Sequence, residues 1–372
     1  MVNEELTVLY NRLEQATSAE DMFGIPENVR LDDKEALSNI LKEIYHRLAK
    51  ILHPDMHTDV ESKEFSSECF TKLQSFYNKA LLKIEKGLYG QGYNDFSESE
   101  DTEFVITTAK RKYNIRNTLA QGDLSTVYGG TAVGGDGEVG KIAIKLVEDP
   151  ADNDLIQNEI SIIKYFASEG SIYNKHLPTV LDEFKTKEGQ MGIVFRQVDG
   201  YDSYSVREKY KDGIPQRHII WIFRRALSII GYAHSRGVIH GNIEPAHIMV
   251  RPKDHNLYLI DWCYAIWKPK STGQGFKCYN EDYSPPEVAE KKPPIPASDL
   301  YSLGKCMIFL LGGNIKTNSM PKEVDDRIQR FIKFFVKESA VQRPQDAWEM
   351  YHKLDDLRKD VFGPHQFVEF VL

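Results

Sequence analysis

The sequence predicts an α+β protein: an all-α helical hairpin comes first, then a small β-rich lobe, then a helical lobe. Three observations carry this. In KEALSNILKEIYHRLAKIL, residues Leu37, Ile40, Leu41, Ile44, Tyr45, Leu48 and Ile51 recur at helical spacing. SKEFSSECFTKLQSFYNKALLKIEK repeats the pattern with Phe65, Cys69, Leu73, Phe76, Tyr77, Ala80 and Leu81. After residue 105 the texture changes. YNIRNTLAQGDLSTVYGGTAV and GKIAIKLVED alternate and carry β-branched residues around a Gly-containing turn, as strands do. From about Pro215 the chain is mostly helical, broken by the strand-like pieces HIMVRP and NLYLID.

The seam between the first two parts is GQGYNDFSESEDTEFV, whose Gly, Ser, Asn and acidic residues suit a solvated linker. This divides the chain into a helical domain over 1–89, an acidic linker over 90–108 and a second domain over 109–372. A chain of 372 residues suits two or three domains, and 41% hydrophobic residues are enough for real cores. A net charge of -8 argues against a nucleic-acid-coating protein. Cys69, Cys263, Cys278 and Cys306 form no CxxC pair, so neither a zinc ribbon nor a disulfide scaffold is expected. The N-terminus lacks the apolar core of a signal peptide, and no stretch is both long and apolar enough to span a bilayer. The expectation is a cytoplasmic protein with no membrane partner.

The first helix ends at His53-Pro54-Asp55. Pro54 lacks an N–H and disfavours helix at His53, so it forces a turn. Lys42, His46, Arg47 and Lys50 give the preceding helix a basic polar side. With MFGI upstream and FTKLQSFYNKAL downstream, residues 20–87 resemble a J domain. That resemblance implies that His53, Pro54 and Asp55, with Arg47 and Lys50, dock on a DnaK-type heat-shock chaperone. Two departures are a stretched segment after MFGI and the lack of a Gly/Phe-rich or zinc-binding region afterwards, which argues against independent client binding.

The second domain carries LAQGDLSTVYGG, Ala143-Ile144-Lys145, Glu159, VIHGNIEPAHIMV, LYLIDWC, YSPPEV, SDLYSLG and QRPQDA in that order. A Gly-rich hairpin lets backbone N–H groups approach phosphates, and a strand lysine can meet phosphate oxygens. From about Tyr113 to Leu357 this resembles the eukaryotic-type protein kinase fold. The resemblance implies a bilobal structure and an ATP and magnesium site. Lys145 matches the phosphate-binding lysine, Glu159 its partner on helix C, and Asp261 the metal-binding Asp of Asp-Phe-Gly. Gly122, Val127 and Ala143 match positions around the nucleotide, Phe195 the gatekeeper, and Arg196 to Val198 the hinge. His240 opens the catalytic loop, Asp299 is the buried acid that supports it, and Glu287 pairs with Arg343.

The catalytic loop departs from the family. The catalytic Asp is Asn242, and an amide cannot accept a substrate proton. The Lys that would neutralise transition-state charge is Glu244. The metal-binding Asn is His247, although magnesium prefers oxygen ligands. The loop Arg is Gly241. Only Gly122 remains of the loop glycines, and Asp261-Trp262-Cys263 replaces Asp-Phe-Gly. Between LLGG and VDDRIQRFIKFFV the family's helix G is reduced to NIKTNSMPKE.

The expected function is therefore a chaperone-recruiting pseudokinase. It binds ATP weakly or as a regulator, lacks the usual phosphotransfer, and engages a client or signalling protein. Two alternatives stay open. One is an atypical kinase-fold enzyme that phosphorylates protein or transfers AMP, as the selenoprotein-O family does, through metal at Asp261. The other is a pure scaffold. His57, His234, His247 and His255 form no HExxH-type pattern and read as surface or loop histidines. Arg224 and Arg225 read as a packing or solvated face, and the apolar tail FGPHQFVEFVL as core packing.

Overall fold

The computed structural model describes residues 4–16, 19–26, 29–30, 33–52, 60–86, 89–90, 103–122, 124–134, 137–364 and 366–372. These form two compact units. The first comprises Met1–Ile156, Lys164–Asn174 and Thr179–Gln197, and the second Gln157–Ile163, Lys175–Pro178 and Val198–Leu372. The boundary at 197/198 falls within the expected hinge.

The first unit opens with four helices: α1 (Glu4–Gln15), α2 (Ala19–Phe23), α3 (Lys34–Ile51) and α4 (Val60–Lys86). The two long ones lie where the apolar spacing placed them. The Asp33 carboxylate accepts from the Ala36 N–H and caps α3, satisfying one of the donors a helix start leaves orphaned. Leu13, Met22, Leu37, Leu41, Leu52 and Leu73 share one fully buried core. Each such side chain contributes roughly 1.5–3 kcal/mol. Tyr45 of α3 stacks on Tyr77 of α4 with ring centroids 4.3 Å apart. His53, Pro54 and Asp55 lie outside the described residues. Arg47 and Lys50 are exposed on α3.

A six-stranded antiparallel sheet follows, in the order β1-β2-β3-β4-β6-β5. Its strands are β1 (Phe104–Thr107), β2 (Lys112–Gln121), β3 (Ser125–Gly134), β4 (Gly137–Val147), β5 (Val180–Lys185) and β6 (Met191–Arg196). Strand β1 falls within the span expected as linker. Residues 104–107 pair with β2, Phe104 facing Ile115, because Val105 and Ile106 give the segment enough apolar side chain to join the sheet. Between β4 and β5 runs α5 (Asn153–Glu169), closed by Gly170 in the left-handed region.

Helix α1 is fastened to this β-rich part of the unit. Asn11 Nδ2 donates to the Ala167 carbonyl at 2.7 Å, at the last turn of α5. The Arg196 guanidinium donates to the Ala16 carbonyl at 2.8 Å and to the Glu14 carbonyl. The Arg196 bonds satisfy carbonyls at the C-terminal end of α1, and the Ala167 carbonyl also accepts from the Gly170 N–H that closes α5. Burial pushes the Glu14 carboxyl up, but Lys72 and Arg196 outweigh it and hold the group below the usual carboxylate range. Arg196, expected at the hinge, thus spends its side chain on α1.

The second unit contains β7 (Tyr201–Asp202), α6 (Ser203–Lys209), α7 (Gln216–Ser235), β8 (Val238–Ile239), β9 (Ile248–Arg251), β10 (Asn256–Leu259), β11 (Ile266–Trp267), α8 (Pro269–Thr272), α9 (Pro286–Ala289), α10 (Pro296–Leu310), α11 (Asp326–Phe335) and α12 (Ala347–Phe362). Helix α10 is buried at nearly every position from Ala297 to Ile308, as its apolar composition on all sides requires. Between α10 and α11 there is no helix, only turns and one bridge between Asn314 and Ser319, which agrees with the expected reduction of helix G.

Arg224 lies 4.3 Å over the Tyr351 ring and pairs with Asp355. In the tail, Phe370 is buried against Tyr210 and His218, while Phe367 and Val371 stay exposed. No helix among the described residues is long and apolar enough to cross a membrane.

Candidate functional site

In the first unit the sheet places Lys145. On β4, Ile142 and Ile144 face the core with Tyr113, Ile115 and Val194. Strand alternation turns Ala143 and Lys145 to the opposite face. Lys145 pairs across the ladder with Val127 on β3 and Ile193 on β6, and Ala143 with Gly129 and Phe195. The sequence-predicted Val127, Ala143, Lys145 and Phe195 therefore meet on one side of the sheet. Lys145 is buried. Gly122 follows β2 and is exposed.

In the second unit Glu159 is buried and its Oε1 accepts from the Trp262 N–H at 3.0 Å, beside Asp261. Asn158, on the same helix, donates to the carbonyls of Cys263 at 2.9 Å and Ala265 at 2.8 Å. This part of α5 thus grips the 261–265 segment twice. Asp261 has φ +63, so the left-handed backbone falls on Asp261 and not on Cys263, where the family has glycine.

The catalytic loop hangs from Asp299. Its Oδ2 accepts from the His240 N–H at 2.8 Å and its Oδ1 from the Gly241 N–H at 2.9 Å, and His234 Nε2 lies 2.8 Å from Oδ2. Burial pushes this carboxyl up, but His234 and the backbone donors hold it below the usual range. Gly241 has φ +75, and a Cβ there would lie 3.2 Å from the Tyr264 carbonyl and 3.3 Å from Ile266. Glycine meets both demands at no steric cost. A second buried carboxylate with a full set of partners is Glu287, which pairs with Arg343 at 2.7 Å and accepts from Ser298.

Two histidines on the loop take opposite roles. His240 is buried, donates from Nε2 to the Ile260 carbonyl, and accepts at Nδ1 from the Asn242 N–H. One donor and one acceptor define a neutral ring. Burial lowers its pKa to about 4. His247 Nδ1 faces the Asn242 carbonyl at 2.8 Å and Nε2 faces the Asp261 carboxylate at 3.2 Å, with Glu244 at 3.6 Å. Both facing groups accept, an arrangement that favours the charged ring with both nitrogens donating. Burial opposes that charge, yet Asp261 and Glu244 raise the pKa above its ordinary value.

The other oxygen of Asp261 is taken as well: Cys263 Sγ donates to Oδ1 at 2.8 Å. Glu244 accepts from the Asn280 side chain. Burial pushes the Cys278 thiol up to about 11, with Glu244 and Asp261 adding to the rise. The expected magnesium at Asp261 does not fit this donor set. Magnesium wants an octahedral shell of oxygens, and here both carboxylate oxygens are engaged, by the His247 ring and the Cys263 thiol. Among the described residues no group of three His, Cys, Asp or Glu side chains is arranged to hold a metal.

The structure thus gathers Asn242, Glu244, His247, Glu159 and Asp261 around one loop. His247 and His255 lie in loops, as expected, but all three histidines, His234 included, are half-buried and engaged: His234 joins Asp299, His247 joins Asp261, and His255 stacks on Trp221 at 4.5 Å. Asn158, Asn280 and the Cys263 thiol were missed. Cys263 stands two residues from Asp261 and was within reach of a local argument, but Asn280 is 36 residues from Glu244 and carried no local signal.

Residues 113–361 match the protein kinase domain family. The match covers more than half of the chain, and the protein belongs to that family. It is 27% identical over 146 residues to serine/threonine-protein kinase F of Synechocystis sp., covering 37% of this chain and 29% of the relative. It is 22% identical over 210 residues to calcium/calmodulin-dependent protein kinase type 1 of Caenorhabditis elegans, covering 55% and 58%. It is 27% identical over 221 residues to a probable casein kinase II subunit alpha homolog of Encephalitozoon cuniculi, covering 56% and 64%. The chain spans less than two thirds of the length of each.

Proposed function

We propose that this protein kinase-family chain is a pseudokinase: it binds nucleotide as a regulatory ligand and does not transfer the γ-phosphoryl group by the usual route. The observation that carries the reading is the tip of the catalytic loop. Asn242 offers no carboxylate to take a hydroxyl proton, and Glu244 adds negative charge where a cation is needed. Glu244 is moreover tied to Asn280. Lys145, Glu159 and Asp261 persist, which supports nucleotide binding.

The helical segment works as a J-like recruiter of a DnaK-type chaperone, bringing it a client or signalling protein. Support comes from the His53-Pro54-Asp55 sequence and from the exposed Arg47 and Lys50 on α3.

The experiment is to incubate the purified chain with γ-labelled and α-labelled ATP beside a thermal shift with ATP. The expected result is no covalent label from either nucleotide and a rise in Tm that Lys145→Ala abolishes, since a ligand that binds only the folded state stabilises it. Transfer of either label that Asp261→Ala abolishes would make the chain an atypical enzyme. For the recruiter role, the chain is expected to stimulate the ATPase of a DnaK-type chaperone, and His53→Gln to abolish that stimulation. Equal rates with and without the chain would refute it.

A further inference from the structure

We propose that the chain takes up its nucleotide without a divalent cation, and that His247 is the positioning residue responsible, because it occupies the carboxylate that a metal would otherwise bridge. The inference rests on the nucleotide-binding reading above and deepens it.

The argument begins with what Asp261 would have to give up. Its Oδ2 lies 3.2 Å from His247 Nε2 and its Oδ1 2.8 Å from Cys263 Sγ. A divalent cation bound there would have to share the carboxylate with both donors or displace one of them. His247 cannot turn aside cheaply, because its Nδ1–H is held by the Asn242 carbonyl at 2.8 Å. Moving the ring would leave a partly buried donor and acceptor unpaired, at a cost of about 1–3 kcal/mol each.

The neighbours reinforce the arrangement. Asn242 and His247 contribute no oxygen anion to a metal shell, and Glu244 is engaged by Asn280. The Trp262 N–H, next along the chain, is bonded to Glu159, which fixes the backbone on the C-terminal side of Asp261.

The test is ATP binding to the full-length protein by isothermal titration calorimetry, once with excess magnesium and once with EDTA. Wild type, His247→Asn and His247→Gln are compared. For wild type the two Kd values are expected within about threefold of each other, less than 1 kcal/mol. For His247→Asn, which restores an oxygen ligand, magnesium is expected to tighten binding by at least about tenfold. His247→Gln, which offers both an amide donor and an oxygen, is expected to fall between them.

A wild-type Kd that magnesium tightens more than about threefold would overturn the inference and leave the nucleotide-binding reading intact. Metal-independent binding by wild type and both variants alike would remove His247 as its cause. No ATP binding in either buffer would refute the nucleotide-binding reading itself, and this inference with it. The wild-type comparison needs no substitution to fold.

Discussion

The buried carboxylates that anchor the second unit and the tip of its catalytic loop obey different rules. At the anchors, buried carboxylates meet full sets of partners. Asp299 accepts from two backbone N–H groups and faces His234, and Glu287 is paired with Arg343 and Ser298. At the tip, every position that would do chemistry in a kinase carries another residue: Asn242, Glu244 and His247. The difference teaches that the geometry of a catalytic loop and its chemistry have separate physical causes. Backbone hydrogen bonds to Asp299 hold the loop's path at His240 and Gly241, upstream of the tip's side chains. The two loop histidines show the same split: burial keeps His240 neutral and part of the scaffold, while His247 faces Asp261 at the tip and its pKa is raised.

If the anchors are structural, breaking one must cost stability outright. Arg343→Ala is expected to have the largest effect, since it strands the Glu287 carboxylate in a buried site. Breaking such a pair costs about 3–5 kcal/mol. Urea unfolding of the variant measures it. A loss under about 1 kcal/mol would put the pair with ordinary surface ion pairs and dissolve the distinction.

The anchors were legible in the sequence because their residues sit inside the pieces SPPE, SDLYSLG and QRPQ, whose order alone assigned them. The strand carrying Lys145 and the two long helices were legible through periodicity. The tip's substitutions could be read too, but their consequences could not. Nothing in the string says that His247 faces two acceptors or that Asn280 reaches Glu244, because both depend on how distant segments fold back. Strand β1 was hidden by its acidic, serine-rich surroundings, and four residues are too few for alternation to show. The attachment of α1 to the β-rich part was hidden for the same reason. Asn11 and Ala167 are 156 positions apart.

The scaffold histidine gives a second way to sharpen the comparison. The ordinary pKa of histidine is near 6.5, and that of folded His240 is about 4. Between these values the unfolded chain takes up a proton that the folded chain refuses. Stability is therefore full above about pH 6.5 and falls as the pH drops, by about 1.4 kcal/mol per pH unit for this group. His247 has the opposite sign: its contribution is full below about 6.5 and is lost as the pH rises through its elevated folded value. Unfolding free energies at pH 7, 6 and 5 are expected to decline, and His240→Gln to flatten the decline by about one proton's worth. An unchanged slope in the variant would mean that His240 protonates as readily folded as unfolded.

The smallest effect is expected at the tip. Asn280→Ala removes the donor to Glu244, whose carboxylate is only partly buried and can turn to water. Hydrogen bonds of this kind contribute about 0.5–1.5 kcal/mol, and rehydration of Glu244 puts this one at the low end. Urea unfolding read beside Arg343→Ala gives the ratio directly. A loss of several kcal/mol from Asn280→Ala would mean that the tip braces the fold as the anchors do. Glu244 would then be a structural acid in its own right, and its place in the loop would need no reference to phosphoryl transfer. A small loss leaves the two regions distinct. The anchors fix where the loop runs, and the tip is free to carry whatever side chains its ligand requires.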